Sequence, residues 1–164
     1  MSDREKLIER VEFFYSDIIE PYKEIQMQVI RESKLRTMFK KANYDERIDG
    51  FKKCKKMALQ MDTKDIRVDK DDEDSVKLKA NLERCLVLFN SMCDGHISMQ
   101  DFLKKKATPK SGVKVSDYKR IMELVRSRNV ALQMELHNLD VIYADYVEDD
   151  YDDCDEEEFW DDEE

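Results

Sequence analysis

Only 3 glycines and 2 prolines interrupt this chain of 164 residues, and that scarcity governs what it can fold into. A sheet reverses direction every few residues, and glycine and proline supply most of the backbone conformations that such reversals demand. Long helices need neither. The body is rich in Lys, Glu, Leu and Met, all good helix formers, and its apolar positions recur at intervals of three and four. An all-α fold follows: an irregular bundle of five or six helices around one core, with an acidic C-terminal tail. The length is that of one domain.

Ser2 or Asp3 caps a first helix, in which Leu7, Val11, Phe14 and Ile18 form one stripe. Pro21 either opens a second helix carrying Tyr22, Ile25 and Ile30 or kinks a single long one. A further run holds Leu35, Met38 and Phe39, after which NYDERIDG reads as a helix end or a turn around Gly50. Residues 51–61 are helical, with Phe51, Cys54, Met57 and Leu59 on one side and lysines opposite. Residues 62–75 carry charge without a helical period, so a mobile connection is expected there, with Ile66 and Val68 alternating as in a short extended piece. The period returns from about Val76 to Met92 through Leu78, Leu82, Cys85, Leu86 and Phe89. Ser98 and Asp101 resemble a capping pair that opens a short helix through Phe102 and Leu103. A basic break over residues 104–114 precedes a long last helix capped by Ser116. Its expected buried stripe is Ile121, Leu124, Val125, Met134, Leu139 and Ile142.

Charge divides the chain more sharply than hydropathy does. Residues 148–164 hold 13 of the 39 acids and no base, leaving 26 acids against all 29 bases in residues 1–147. The expected organisation is a helical domain over 1–147 and a flexible acidic arm over 148–164. Like charges at that density repel one another and cannot build a core. The arm pushes phosphates away, which disfavours direct nucleic-acid binding by the whole chain, and it draws basic surfaces in. A purely solvating arm gains little from Phe159 beside Trp160, whereas a docking arm can use them as apolar anchors. The expected partner-binding residues are Asp152, Asp153, Asp155, Glu156, Glu157, Glu158, Phe159, Trp160, Asp161 and Asp162. A second use of the arm is to mask the protein's own basic patch at Lys52, Lys53, Lys55, Lys56, Lys104, Lys105 and Lys106.

The stretch NSMCDGHISMQD, residues 90–101, resembles the calcium loop of the EF-hand family. Asp94 and Gly95 stand fifth and sixth, Ile97 is the apolar eighth residue, Ser98 the ninth, and Asp101 closes the loop. The resemblance implies a helix-loop-helix with Asn90, Asp94, Ser98 and Asp101 as metal ligands. The set departs from the family's pattern at Asn90 in first place, at Met92, whose soft sulfur suits a hard cation poorly, and at the short arm of Asp101. Lys104, Lys105 and Lys106 add positive charge beside it. The best second loop, residues 45–56, has Arg47, Lys52 and Lys56 at key positions and fails as a ligand set.

Cys54, Cys85, Cys93 and Cys154 stand singly in a chain whose start, MSDREKLIER, lacks the apolar run of a signal peptide, so free thiols and an intracellular location are expected. No segment approaches the roughly 18 uninterrupted apolar residues of a membrane span. Cys93 and His96 have a zinc-like spacing, but a closed zinc site wants four ligands and the other histidine, His137, lies in the last helix. Neither histidine has a neighbouring group that would make it a catalytic base, and Gly50, Gly95 and Gly112 are too scattered for a phosphate loop. The reading is a non-enzymatic interaction protein without a cofactor, whose acidic arm engages a basic protein surface by nucleic-acid mimicry or chaperone-like shielding. The alternatives are a degenerate calcium-responsive module and a structural subunit of a larger assembly.

Overall fold

The computed structural model describes residues 1–35, 43–108 and 112–155, and among them every regular element is helical. In chain order these are α1 (Asp3–Phe13), a π-helical segment (Phe14–Ile19), α2 (Glu20–Leu35), α3 (Tyr44–Gln60), α4 (Glu73–Ala107) and α5 (Val115–Asp155). The first three are continuous, so the described residues form four rods where five or six helices were expected. The all-helical class holds.

The first rod starts as its sequence dictates. Ser2 Oγ accepts the Glu5 backbone N–H at 3.1 Å, and the Glu5 carboxylate accepts the Ser2 N–H at 2.7 Å, a complete capping box. Pro21 then resolves as an irregularity inside one rod. Proline lacks an N–H and its ring crowds the carbonyl four residues back. Immediately before it the backbone widens, with the Glu20 N–H reaching back five residues to the Tyr15 carbonyl, a π-helical register.

α4 is the central rod, with α5 and α3 against it and α1 crossing it. Its start is held by Asp72, whose carboxylate accepts the Ser75 N–H at 3.2 Å and the Ser75 hydroxyl at 2.6 Å. Leu7, Val11, Phe14 and Ile18 are buried against Phe51, Cys54 and Ala58 of α3, Leu78, Leu82, Cys85 and Phe89 of α4, and Leu132, Leu139 and Tyr146 of α5. Phe89 lies at the middle, edge-on to Phe14 at 6.1 Å and to Tyr22 at 5.1 Å between ring centroids, the arrangement that aromatic quadrupoles favour.

Several expectations need correction. NYDERIDG is the opening of α3, with Asn43 as its cap. Gly50 lies inside that helix, where a Cβ would come within 2.8 Å of Ile25 Cδ1. Residues 62–72 form no strand, yet they are tied down: Ile66 is buried, Thr63 Oγ1 donates to Glu83 at 2.8 Å, and Lys79 Nζ donates to the Ile66 carbonyl at 2.9 Å. Neither Ser98 nor Ser116 caps a helix, because the first is in mid-α4 and α5 already includes Val115. On α5 the buried face is Leu132, Leu136, Leu139 and Tyr146, while Leu124 and Met134, expected inside, are exposed. The helix also runs on to Asp155, past the boundary expected at 147.

Candidate functional site

The residues expected to ligate calcium lie on one uninterrupted helix. From Asn90 to Asp101 the rise along α4 is about 16 Å, whereas calcium draws its ligands to within roughly 2.6 Å of one point. Asp94 instead pairs with Lys55 of α3 at 2.6 Å, and Asp101 pairs with Lys105 one turn on at 2.9 Å. Asn90 keeps its side-chain oxygen buried without a hydrogen-bond partner, and Ser98 is exposed. The glycine that suggested a loop is there for packing, since Gly95 is buried under α5, 3.5 Å from Val125 Cγ2 by its absent Cβ. The Arg128 guanidinium caps the contact by donating to the Ser91 carbonyl at 2.8 Å. Among the described residues no three His, Cys, Asp or Glu side chains are grouped to hold a metal.

The basic patch also resolves into separate pieces. Lys55 is engaged by Asp94, Lys104 donates to Asp45 of α3 at 2.6 Å, Lys105 pairs with Asp101, and Lys106 lies 5.5 Å over the Tyr118 ring. Lys55 and Lys104 join α3 to α4, Lys106 reaches α5, Lys105 pairs within α4, and Lys104, Lys105 and Lys106 sit favourably at the negative end of α4. Lys52, Lys53 and Lys56 are exposed on the outer side of α3. Four of the seven patch lysines are thus engaged within the body, which leaves Lys52, Lys53 and Lys56 as the part of the patch open to solvent.

His96 has a role that its loop position concealed. Its Nε2 is 2.9 Å from the Tyr22 hydroxyl, and its ring stacks on Phe51 at 4.5 Å with 5° between the planes. Burial pushes its pKa down to about 4, so the imidazole is neutral, and with the Gln26 amide nitrogen also 3.4 Å from Nε2 that nitrogen is assigned as the acceptor of the Tyr22 hydroxyl. Positions 89, 93 and 96 follow helical spacing and share the buried side of α4, a signal available in the sequence. His137 is exposed on α5, far from any shared role. Burial raises the pKa of Cys54, Cys85 and Cys93, which removes thiolate character and reactivity.

A second cluster, which the sequence reading missed, sits where the π segment meets α5. The Tyr15 hydroxyl donates to the Asp140 carboxylate and the Tyr143 hydroxyl to Glu12 at 3.1 Å, with the two rings 6.5 Å apart. Burial, then the hydrogen bond to a carboxylate, pushes the Tyr143 phenol up to about 12. Both phenols are donors, Tyr15 holding the π segment to α5 and Tyr143 holding α5 to α1. A cleft of about 470 Å³ between α1 and α3 is lined by Arg10, Phe13, Met57 and Met61, but its guanidinium is already bidentate to Asp65 at 3.0 Å. That leaves no uncommitted charge to hold an anion.

What remains is the electrostatics of α5. Its bases, Lys119, Arg120, Arg126 and Arg128, all lie in its first third, and from residue 129 to Asp155 it carries nine acids and no Lys or Arg. A helix is stabilised by acids at its start and bases at its end. α5 has largely the opposite order and no base in its last turn. Asp152, Asp153 and Asp155 belong to this helix, while Glu156, Glu157, Glu158, Phe159, Trp160, Asp161 and Asp162 lie outside the described residues. No family model, curated protein sequence or solved structure matches the chain. No described helix is long and apolar enough to cross a membrane.

Proposed function

We propose that this is a non-catalytic interaction protein whose acidic C-terminal arm, begun as the last turns of α5, engages a basic protein surface. The observation that carries the reading is the charge order of α5. Acids at a helix C-terminus oppose its dipole, and like charges three and four residues apart repel by roughly 0.2 to 0.5 kcal/mol per pair. A cationic surface docked there would relieve both costs, so binding and helix stability favour each other. The ion pairs made by Lys55, Lys104 and Lys105 within the body shrink the surface open to self-masking to Lys52, Lys53 and Lys56, which favours an external partner.

The mechanism is electrostatic steering, followed by anchoring through Phe159 and Trp160. Converting the 13 acids of residues 148–164 to amides should remove most of the salt-dependent attraction for a lysine-rich peptide. Phe159→Ala with Trp160→Ala should chiefly speed dissociation. Full retention of affinity and salt dependence by both variants would refute the reading.

A further inference from the structure

α5 buries one side in the bundle, and its other side has the pattern of a second interface. Val130, Met134 and Val141 are 59%, 65% and 50% exposed, and His137 is exposed between them. At 3.6 residues per turn these four positions fall within about 60° of arc. Their spacing of four, three and four is that of two helices packing side by side. Lys119, Glu123 and Arg126 precede the seam on the same exposed face, and Ala144, Asp145 and Glu148 follow it.

We propose that this seam pairs with the same seam of a second copy of the chain. The two α5 helices run antiparallel about a two-fold axis between residues 135 and 136. That register makes the face complementary to itself, as an isologous contact requires. Val130 meets Val141 and Met134 meets His137, while Arg126 lies level with the second copy's Asp145, diagonally across the seam. Glu123 falls opposite Glu148, but Lys119 and Arg126 lie one turn to either side of Glu123, so Glu148 faces two bases and one acid. A parallel pair would set the acidic thirds against each other, and charge therefore selects the antiparallel arrangement. The apolar centre is small, and the dimer is accordingly weak and concentration-dependent. Pairing would place the two acidic arms at opposite ends of one particle, making it bivalent toward a basic partner.

The test needs no basic ligand and so stands apart from the function proposed above. Sedimentation equilibrium of the full chain from about 5 to about 500 µM should show the mass rising from 19.6 kDa toward twice that value. Arg126→Asp alone and Asp145→Arg alone should each weaken association by about tenfold, and Met134→Asp should abolish it. Combining Arg126→Asp with Asp145→Arg should restore association, because the two positions exchange charges across the axis. All of these positions are exposed, and their thermal unfolding should match that of the parent. A single-copy mass at every concentration would overturn the proposal, as would a double variant no stronger than either single one.

Discussion

His96→Gln isolates one pH-dependent part of the stability. In the folded protein the imidazole is covered by Phe51 and touches Tyr22 and Gln26, none of which offers a negative charge to an imidazolium. Burial holds the pKa at about 4 against an ordinary 6.5. The unfolded chain takes up a proton near pH 6.5 that the folded chain accepts only near pH 4. Above pH 6.5 neither state carries the extra proton, and the stability is fully present. Between those values the unfolded state binds more protons, so stability falls as pH falls. At about 1.4 kcal/mol per pH unit the whole loss would be about 3.5 kcal/mol; pH 4.5 stops short of the lowered value and the ring keeps some exposure, which lowers the expectation to about 2 kcal/mol. Urea unfolding at pH 7 and pH 4.5 measures it. Parent and His96→Gln share their carboxylate titrations, which cancel in the difference, and Gln retains an acceptor for Tyr22. The stability advantage of the parent at pH 7 should shrink by about 2 kcal/mol at pH 4.5. Parallel pH dependences would refute the assignment of His96 as a buried neutral acceptor.

Three further outcomes follow from the packing. Phe89→Ala removes the ring between Phe14 and Tyr22 and should cost about 3 to 5 kcal/mol in urea unfolding. Asp72→Ala deletes the cap of α4 and should cost about 1 kcal/mol; the Ser75 hydroxyl and N–H hold the Asp72 carboxyl below its usual range, so this stabilisation persists until pH falls through that lowered value. Cys54, Cys85 and Cys93, buried and shifted upward, should react with a disulfide reagent at pH 8 only as fast as the protein unfolds, which a stopped denaturant series would show.

Much of the fold is legible in the sequence because burial follows helical period. Leu7, Val11, Phe14 and Ile18, and again Leu78, Leu82, Cys85 and Phe89, are buried as their spacing requires. The errors cluster at glycine. Gly50 and Gly95 read as turns because glycine most often signals backbone freedom, yet both are helical. One makes room for Ile25 and the other lies under Val125 and Arg128. A glycine selected by a neighbour's approach looks the same in sequence as one selected by a positive φ, and only tertiary contact separates them. The calcium-loop reading failed with Gly95, and the expected helix count failed with the breaks placed at Pro21, Gly50 and Ser98. On α5, Leu124 and Met134 satisfied an apolar pattern wide enough to cover two faces. The sequence alone does not say which face meets the core. The contrast between body and arm needs no structure, since it is a count of charges, but the inverted charge order of α5 required knowing that one helix spans it.

The measurement closest to the central claim is calorimetric titration of the full chain with a lysine-rich peptide at about 50 and about 300 mM salt. It should run beside the full-length variant in which the acids of residues 148–164 are amides. The account predicts binding by the parent that weakens by at least about tenfold at the higher salt, and an amide variant that binds about tenfold or more weakly at low salt with little salt dependence. Equal affinity and equal salt dependence in the two proteins would contradict it and move the interaction surface to the helical body.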